Sequence, residues 1–363
     1  MTGFVPPPYP YDRLAEVITI AGRHAGGGVD LSIGTPCDDP PPEVTAALAS
    51  PATARTYPPS LGTPAFRQAA TDWIARRLGA TVDVATEIAA CVGTKEFVAS
   101  TPQYLKLRTP ERDTVLYPAI SYPTYAMGAS LAGCRAVPYT KLSEIAAEDA
   151  ERALLVWVNS PSNPTGELAD LAEAAFWGRE RNVPVFSDEC YAEFTWATPA
   201  ASVLTSGTQG VVAVHSLSKR DNFAGARIGF YAGDAELIHY LSEVRKHAGL
   251  MPPGPVQAAA VLALNDDEHV ERQRSRYRQR LTRLTEILGV LGYAAHLPEG
   301  AFYLWVASPS GDAWTDARDL AERAGIVVSP GEFYGPDGAD HFRVAAVQPD
   351  DRIELVATRV GLA

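Results

Sequence analysis

The sequence predicts an α/β protein with a mostly parallel central sheet sandwiched by helices, followed by a smaller α+β region. Four short apolar runs alternate with helical patterns through the middle of the chain, at residues 113–119, 152–160, 183–189 and 210–218. Such alternation is typical of βαβ units. Each run ends in polar or small residues, and ligands of open α/β sheets lie beyond the carboxyl ends of the strands. A functional site is therefore expected at these endings.

The pattern changes from about Asp234 onward. A long helical stretch containing RQRSRYRQRLTRLTEIL is followed by the short runs AFYLWVA, IVVSP and HFRVAAV, which is typical of a separate α+β unit. The Pro-rich first thirty-odd residues carry no sheet pattern of their own. We predict a large domain at 35–235 and a small domain formed by 1–34 together with 236–363.

Composition and charge narrow the class of protein. The 363 residues, 46% of them hydrophobic, can bury a sizeable core, and the formal net charge of -12 argues against a nucleic-acid surface. The N-terminus has no basic leader with a long apolar run, and no later stretch is apolar enough to span a bilayer, so we expect a cytoplasmic protein. The four cysteines form no CxxC pair, and we expect no metal site.

One lysine stands out among the few in the chain. Lys219 follows the apolar run VVAVHS in SLSKRDNFAGARIGF, so it should enter the crevice at the carboxyl end of a strand. A partly desolvated lysine near other cations is a usable amine nucleophile, although a bare lysine is more often a solvated surface charge. If it bonds an aldehyde cofactor that carries a phosphate, then Ser216, Ser218 and Arg227 are suitable phosphate donors.

A second motif, SDECY, follows the apolar run VPVFS and contains Asp188 and Tyr191. An aspartate at a strand end commonly just caps a helix. With a pyridine ring in the crevice, Asp188 could instead keep the ring nitrogen protonated, which an electron sink requires. Tyr191 could then donate to the phenolic oxygen of that ring.

Two further motifs follow predicted strands. NSPSNPTG at 159–166 reads as a Pro-stiffened turn, in which Asn163 can add an amide donor to the same phenolic oxygen. VGTKEFVAS at 92–100 reads as a helix start, where the backbone N–H groups of Gly93, Thr94 and Lys95 could face an anion. Alone this last pattern is weak, because many helices begin this way.

Taken together and in this order, the four motifs resemble the fold-type-I, class I/II aminotransferases along essentially the whole chain. The resemblance implies pyridoxal 5'-phosphate as cofactor, with Lys219 as the residue that bonds it and moves the substrate proton. Asp188 then corresponds to the partner of the ring nitrogen, and Asn163 and Tyr191 to the groups at the phenolic oxygen. The implied phosphate cup consists of Ser216, Arg227 and residues 93–95.

The same resemblance implies further roles. Tyr122 matches the aromatic that stacks on the ring, with a plain core tyrosine as the alternative, and Tyr57 matches a tyrosine that reaches the phosphate of the neighbouring subunit in a homodimer. Arg343 matches the arginine that clamps the substrate α-carboxylate, with a surface charge at a strand edge as the alternative. Gly34 matches a glycine whose backbone approaches the substrate, and Asn163 is a further substrate contact.

A narrower similarity is to actinobacterial succinyldiaminopimelate aminotransferases, carried by SIGTPCDDPPPE, VHSLSK, SEVRKHAG, PGPVQAA and PGEFYGPDGADHFRVA. It implies transfer of an amino group between glutamate and an N-succinyl oxo acid of lysine biosynthesis, with ping-pong kinetics. The chain departs from that group at Asp221, where a serine is expected, and at Pro252 and Pro253. Both departures lie in or near the predicted site region.

Other interpretations remain at this stage. The substrate could be another amino acid or a specialised metabolite, and the same fold also supports C–S lyases and decarboxylases. A regulator that binds pyridoxal phosphate without turnover is a further alternative. Three arginines, Arg23, Arg55 and Arg220, are unranked candidates for the distal group of the substrate.

Overall fold

The computed structural model describes residues 4–362 and divides into two compact units. The larger unit contains Thr35–Arg276 and Pro298–Ala301. The smaller unit contains the chain up to Gly34, Tyr277–Leu297 and the chain from Phe302 onward. The domain boundary predicted after residue 235 differs from this division, which keeps 236–276 in the larger unit. Among the helices of residues 4–362, none combines the length and the apolar character needed to cross a bilayer.

The strands are β1 (Val29–Asp30), β2 (Ile88–Cys91), β3 (Thr114–Pro118), β4 (Arg135–Tyr139), β5 (Ala153–Asn159), β6 (Val185–Asp188), β7 (Val211–Ser216), β8 (Gly229–Gly233), β9 (Tyr303–Ala307), β10 (Ile326–Val327), β11 (Ser329–Pro330) and β12 (His341–Ala345). The α-helices are α1 (Ala15–Ala21), α2 (Pro42–Ala47), α3 (Pro51–Ala54), α4 (Pro64–Trp73), α5 (Thr94–Arg108), α6 (Thr124–Leu131), α7 (Ala147–Glu151), α8 (Leu171–Arg181), α9 (Leu217–Arg220), α10 (Ala235–His247), α11 (Gly254–Asn265), α12 (Glu268–Val290), α13 (Ala313–Ala324) and α14 (Asp350–Arg359).

The larger unit is built on a seven-stranded sheet in the order β2-β8-β7-β6-β5-β3-β4. The five strands from β7 to β4 run parallel, and β8 and β2 are antiparallel to their neighbours. The predicted fold class, α/β with a mostly parallel sheet, is confirmed. The four predicted strands correspond to β3, β5, β6 and β7.

The central strands are apolar on both faces because helices cover the sheet on both sides. Every residue of β5, ALLVWVN, is buried. Successive side chains of a strand point to opposite faces, so Val156 joins one hydrophobic core and Trp157 the other. The carboxyl ends of three adjacent strands then present Asn159, Asp188 and Ser216 at one edge of the sheet.

The smaller unit contains a three-stranded antiparallel sheet in the order β11-β12-β9 and a parallel pair formed by β1 and β10. Arg343 lies in β12, the middle strand, opposite Trp305 of β9 and Ser329 of β11. Four of the five residues of β12, Phe342 to Ala345, are buried. Residues 4–34 belong to this unit.

Candidate active site

Lys219 lies in α9, a one-turn helix that directly follows β7. Ser216 caps this helix, since its Oγ accepts the backbone N–H of Ser218 at 3.1 Å. Burial raises the pKa of Asp188 and that of Cys190, and the charge of the nearby Lys219 opposes both rises. The structure therefore brings the predicted lysine and the predicted aspartate into one electrostatic environment.

Asp188 ends β6 and is 8% exposed. Burial raises the pKa of its carboxyl, while hydrogen bonds from Cys190 and Tyr125 and the charge of Lys219 oppose that rise. The hydroxyl of Tyr125 donates to Oδ2 at 2.9 Å, and the backbone N–H of Cys190 donates to Oδ1 at 3.2 Å. A carboxylate held in this way can stabilise a protonated ring nitrogen.

Asn163 lies in a loop that is organised by Asn159. The side-chain amide of Asn159 donates to the backbone oxygen of Asp188 at 2.9 Å, and its Oδ1 accepts the backbone N–H of Asn163 at 2.8 Å. The loop contains two cis peptide bonds, Ser160–Pro161 and Asn163–Pro164. The two hydrogen bonds of Asn159 connect this loop to the strand end that carries Asp188. Asn163, which is 6% exposed, lies in this loop.

A cradle for an anion lies at the start of α5. Gly93 precedes this helix with a φ of 77°, and a Cβ added there would overlap the guanidinium of Arg227. The backbone N–H groups at a helix start attract anions, and Arg227 adds a positive charge beside them. Arg227 is itself fixed by a hydrogen bond from Nη1 to the backbone oxygen of Ala224 at 2.8 Å. Thr94 connects the cradle to the SDECY motif, since its Oγ1 lies 3.3 Å from Sγ of Cys190.

The predicted aromatic residues lie in the same unit. Tyr122 packs edge-on against Tyr125 with ring centroids 6.3 Å apart, and Nζ of Lys95 lies 5.9 Å from the centroid of the Tyr122 ring. Tyr191 is 6% exposed and precedes a 3-10 segment, Ala192–Phe194. Tyr57, in contrast, is 92% exposed.

Arg343 of the smaller unit is 2% exposed, so the alternative of a surface charge at a strand edge is wrong. Its guanidinium carbon lies 4.0 Å from the ring centroid of Tyr303 and 4.8 Å from that of Tyr334. Nη2 donates to the backbone oxygen of Ser32 at 2.6 Å and to the hydroxyl of Tyr11 at 3.2 Å. These contacts hold the guanidinium in one orientation.

The packing of Tyr303 on Arg343 leaves no room for a side chain at Gly34. A Cβ added at Gly34 would overlap the hydroxyl of Tyr303, the ring that packs on Arg343. A side chain at position 34 would therefore displace a neighbour of the arginine. The resemblance had assigned Gly34 to close approach of a substrate, and the structure adds this internal reason for a glycine.

Three residues of the site were not found from the sequence. Tyr125 and Asn159 position Asp188 and its loop, and Cys190 contacts both Asp188 and Thr94. Asn159 ends the predicted strand 152–160 and directly precedes the turn residues, which is a signal that sequence reasoning could have used. Tyr125 gave no such signal, because its partner is distant in sequence.

A sequence profile described as "Aminotransferase class I and II" matches residues 27–360. A 4-dedimethylamino-4-oxo-anhydrotetracycline transaminase of Streptomyces rimosus is 42% identical over 98% of this chain and 99% of its own length. A probable aminotransferase of Mycobacterium tuberculosis is 41% identical over 98% of this chain and 85% of its own.

Solved structures are similar over nearly the whole chain. An aminotransferase of Neisseria meningitidis superposes with a TM-score of 0.88 at 30% identity, covering 98% of each chain. A probable N-succinyldiaminopimelate aminotransferase of Thermus thermophilus superposes with a TM-score of 0.86 at 29% identity, covering 96% of this chain and 98% of that one.

Proposed function

We propose, from the premise that this chain belongs to the pyridoxal-phosphate-dependent class I and II aminotransferases, that it transfers the amino group between N-succinyl-LL-2,6-diaminopimelate and 2-oxoglutarate. Glutamate is the amino donor in the biosynthetic direction. Support for the reaction comes from the larger unit, and support for the substrate comes from the sequence motifs shared with succinyldiaminopimelate aminotransferases.

The donor set of the larger unit fits pyridoxal phosphate. The cofactor has an aldehyde, a ring nitrogen and a phosphate, and the unit offers an amine at Lys219, a buried carboxylate at Asp188 and the cradle formed by Gly93 and Arg227. The observation that carries the proposal is that Lys219 and Asp188 interact electrostatically at adjacent strand ends. One cofactor can engage both of them and place its phosphate at the start of α5.

Pyridoxal phosphate would supply an electron-withdrawing ring that stabilises negative charge at the substrate Cα. Asp188 holds the proton on the ring nitrogen, and Tyr125 and Cys190 keep its carboxylate in place. Asn163 and Tyr191 donate to the ring oxygen. Arg227, the segment 93–95 and the hydroxyls of Ser216 and Ser218 bind the phosphate.

Proton movement falls to Lys219. Lys219 would hold the cofactor through its amine, and the same Nζ, once freed, would act as the base that takes the proton from the substrate Cα and later gives it up. The amine must be neutral for this step. Arg343 binds the α-carboxylate with its fixed guanidinium.

We further propose that the working enzyme is a homodimer in which Tyr57 contacts the phosphate held by the neighbouring subunit. The 92% exposure of Tyr57 in the single chain supports this, because a large aromatic ring left in water is a usual component of an interface. Tyr122 is the proposed stacking partner of the cofactor ring, and Gly34 and Asn163 are proposed substrate contacts.

A second candidate substrate is a ketone of a specialised metabolite. It is favoured by the 42% identity to the transaminase of Streptomyces rimosus, whose name specifies an oxo-anhydrotetracycline.

A substrate panel tests the proposal. The holoprotein is mixed with 2-oxoglutarate and N-succinyl-LL-2,6-diaminopimelate, other N-acyl diamino acids or plain amino acids, and in a separate series with glutamate and polycyclic ketones. We expect kcat/KM for the succinyl substrate to exceed that for plain amino acids by roughly 100-fold, since buried polar contacts discriminate at least this well. Activity confined to simple amino acids or to ketones would overturn the lysine-pathway assignment. Release of pyruvate or ammonia would instead indicate lyase chemistry.

A further inference from the structure

Lys219 lies in a helix too short to fix its own direction. In the four residues Leu217–Arg220, nearly all backbone groups belong to helix ends and lack partners within the helix. The orientation of α9 must therefore come from contacts at its two ends. Ser216 caps the first end, and the backbone N–H of Asp221 donates to the oxygen of Leu217 at 3.1 Å at the other end.

The residue after Lys219 is an arginine that is 4% exposed. Nε of Arg220 donates to Oε1 of Glu193 at 3.2 Å, and Nη1 donates to the backbone oxygen of Ala263 at 2.7 Å and to Oδ1 of Asp221. Successive residues of a helix project about 100° apart. A fixed Arg220 therefore fixes the direction in which Lys219 leaves the helix.

Asp221 is fully buried and is held from a second side. Its Oδ1 faces Nε2 of His269 at 2.8 Å, and Nδ1 of the same ring lies 3.0 Å from Oδ2 of Asp266. Asp266 is itself fixed to the first turn of α12, because its Oδ1 accepts the backbone N–H of His269 at 3.2 Å. The imidazole thus lies between two carboxylates and connects the end of α9 to the start of α12.

The imidazole of His269 lies among several charged side chains. Carboxylates outnumber guanidiniums in the ion pairs around this ring. The carboxylates belong to Glu193, Asp221, Asp266, Asp267 and Glu271, and the guanidiniums belong to Arg76, Arg77 and Arg220. Burial of a carboxylate is costly unless it is paired, and Asp221 pairs with the guanidinium of Arg220 and faces Nε2 of His269.

We propose that Arg220, Asp221 and His269 are positioning residues for Lys219, and that the Asp221–His269 pair holds α9 where a serine would provide a neutral cap. The proposal rests on the proposed role of Lys219. It explains why a fully buried carboxylate stands two residues after the reactive lysine. It also removes Arg220 from the candidates for the distal group of the substrate, since its nitrogens are engaged within the protein.

The test compares Asp221→Ser, His269→Ala, the double variant and His269→Gln, with His239→Ala as a control at an exposed histidine of α10. Two quantities are measured. The first is the rate at which the cofactor-free protein bonds added pyridoxal phosphate, followed by visible absorbance. The second is kcat and KM for glutamate.

We expect Asp221→Ser and His269→Ala each to lower both the bonding rate and kcat roughly tenfold, because small misplacements of a reacting group are costly. KM for glutamate should stay within about twofold, since the change affects the lysine rather than substrate binding. The double variant should be no worse than either single variant, as contacting residues are not additive. His269→Gln should regain most of the loss, because its amide can still donate to Asp221.

Additive losses in the double variant, or rates equal to those of the wild type, would overturn the proposal. If Asp221→Ser does not fold, the comparison of His269→Ala with His269→Gln decides alone, and equal rates in these two refute the donor role. Failure of the proposed function looks different. In that case the wild type itself neither bonds pyridoxal phosphate nor transfers amino groups.

Discussion

Arg220 in the larger unit and Arg343 in the smaller unit are both almost fully buried, yet their neighbours differ in charge. Arg220 is surrounded by the carboxylates of Glu193, Asp221 and Asp267. Arg343 is held between the rings of Tyr303 and Tyr334, with a tyrosine hydroxyl and a backbone oxygen as acceptors.

The difference teaches how a buried cation can serve two purposes. Carboxylate partners cancel the charge of an arginine and leave it as a rigid element of the structure. Aromatic faces and neutral acceptors orient the guanidinium without cancelling its charge, so the charge stays available for an anion. On this comparison, the proposed reacting groups are fixed within the larger unit, and the proposed carboxylate-binding arginine lies in the smaller unit.

Replacing Lys219 by Ala should give the largest effect, because it removes the reacting amine from the larger unit and leaves Arg343 untouched. We expect the absorbance of the lysine-bound cofactor to disappear and kcat to fall by roughly 10²–10⁴-fold or more, the usual contribution of a positioned base. Affinity for a dicarboxylate inhibitor, measured by calorimetry, should change little.

Lys246→Ala is the matched control, since Lys246 is an exposed lysine of α10. Its absorbance and turnover should equal those of the wild type. Retention of multiple turnover in Lys219→Ala would contradict the assignment of the chemistry to this lysine.

Two glycine substitutions distinguish the proposed role of the larger unit in cofactor binding from that of the smaller unit in substrate binding. Gly93→Ala would displace Arg227 from the anion cradle, and Gly34→Ala would displace Tyr303 from Arg343. We expect Gly93→Ala to weaken pyridoxal phosphate binding roughly tenfold, equivalent to loss of about one charge-assisted hydrogen bond. Gly34→Ala should leave cofactor affinity unchanged and raise KM for glutamate by a similar factor. Cofactor affinity is measured by titration of the cofactor-free protein.

Gly289→Ala in α12 is the control, because a Cβ there meets nothing within 4 Å. The division of roles between the units fails if both glycine variants change the same constant.

The smallest expected effect concerns stability and a buried acid of the larger unit. Glu189 accepts the backbone N–H of Val203 at 2.8 Å and lies 3.4 Å from Nε2 of His215. Burial raises the pKa of Glu189 from 4.5 to about 7 and lowers that of His215 from 6.5 to about 3. Folded Glu189 therefore keeps a proton that the unfolded chain has lost, and its contribution to stability declines as pH rises from about 4.5 to about 7.

His215 acts in the opposite direction, since the unfolded chain takes up a proton that the folded one refuses, and stability is lost as pH falls from about 6.5 to about 3. In Glu189→Gln, only the titration of His215 still makes the stability depend on pH. The unfolding free energy of the variant, relative to wild type, should rise with pH by about 1 kcal/mol per unit between pH 4.5 and 6.5. Urea titrations at several pH values measure it, with Glu243→Gln, a residue whose side chain is 47% exposed, as control. Parallel curves for Glu189→Gln and wild type would refute the raised pKa.

The parts of the fold that follow from local pattern were predictable. The continuous apolar runs predicted β3, β5, β6 and β7, because strands buried on both faces need little else. β2 and β8 were not predicted, since IAAC and GFYAG are short and rich in small residues. The helices at 235–276 resemble those of the smaller unit in sequence, so only tertiary packing assigns them to the larger one.

The site divides in the same way. Lys219, Asp188 and Asn163 could be proposed from the sequence because each stands in a distinctive motif at a strand end. Tyr125 and His269 were missed because their roles depend on partners 63 and 48 residues away. Such contacts have no local signature. The buried state of Arg343 likewise required knowledge that β12 is a middle strand.

The strand order β2-β8-β7-β6-β5-β3-β4 has a kinetic consequence. The first strand of the sheet in sequence pairs with the last, and parallel neighbours are joined through helices, so most native pairings close long loops. Chains dominated by such non-local contacts fold slowly. The cradle at Gly93 and the residues around Lys219 come together only when β2, β7 and β8 have met. Pyridoxal phosphate should therefore bind only after the slow assembly of the sheet. Its binding should lower the unfolding rate far more than it raises the folding rate.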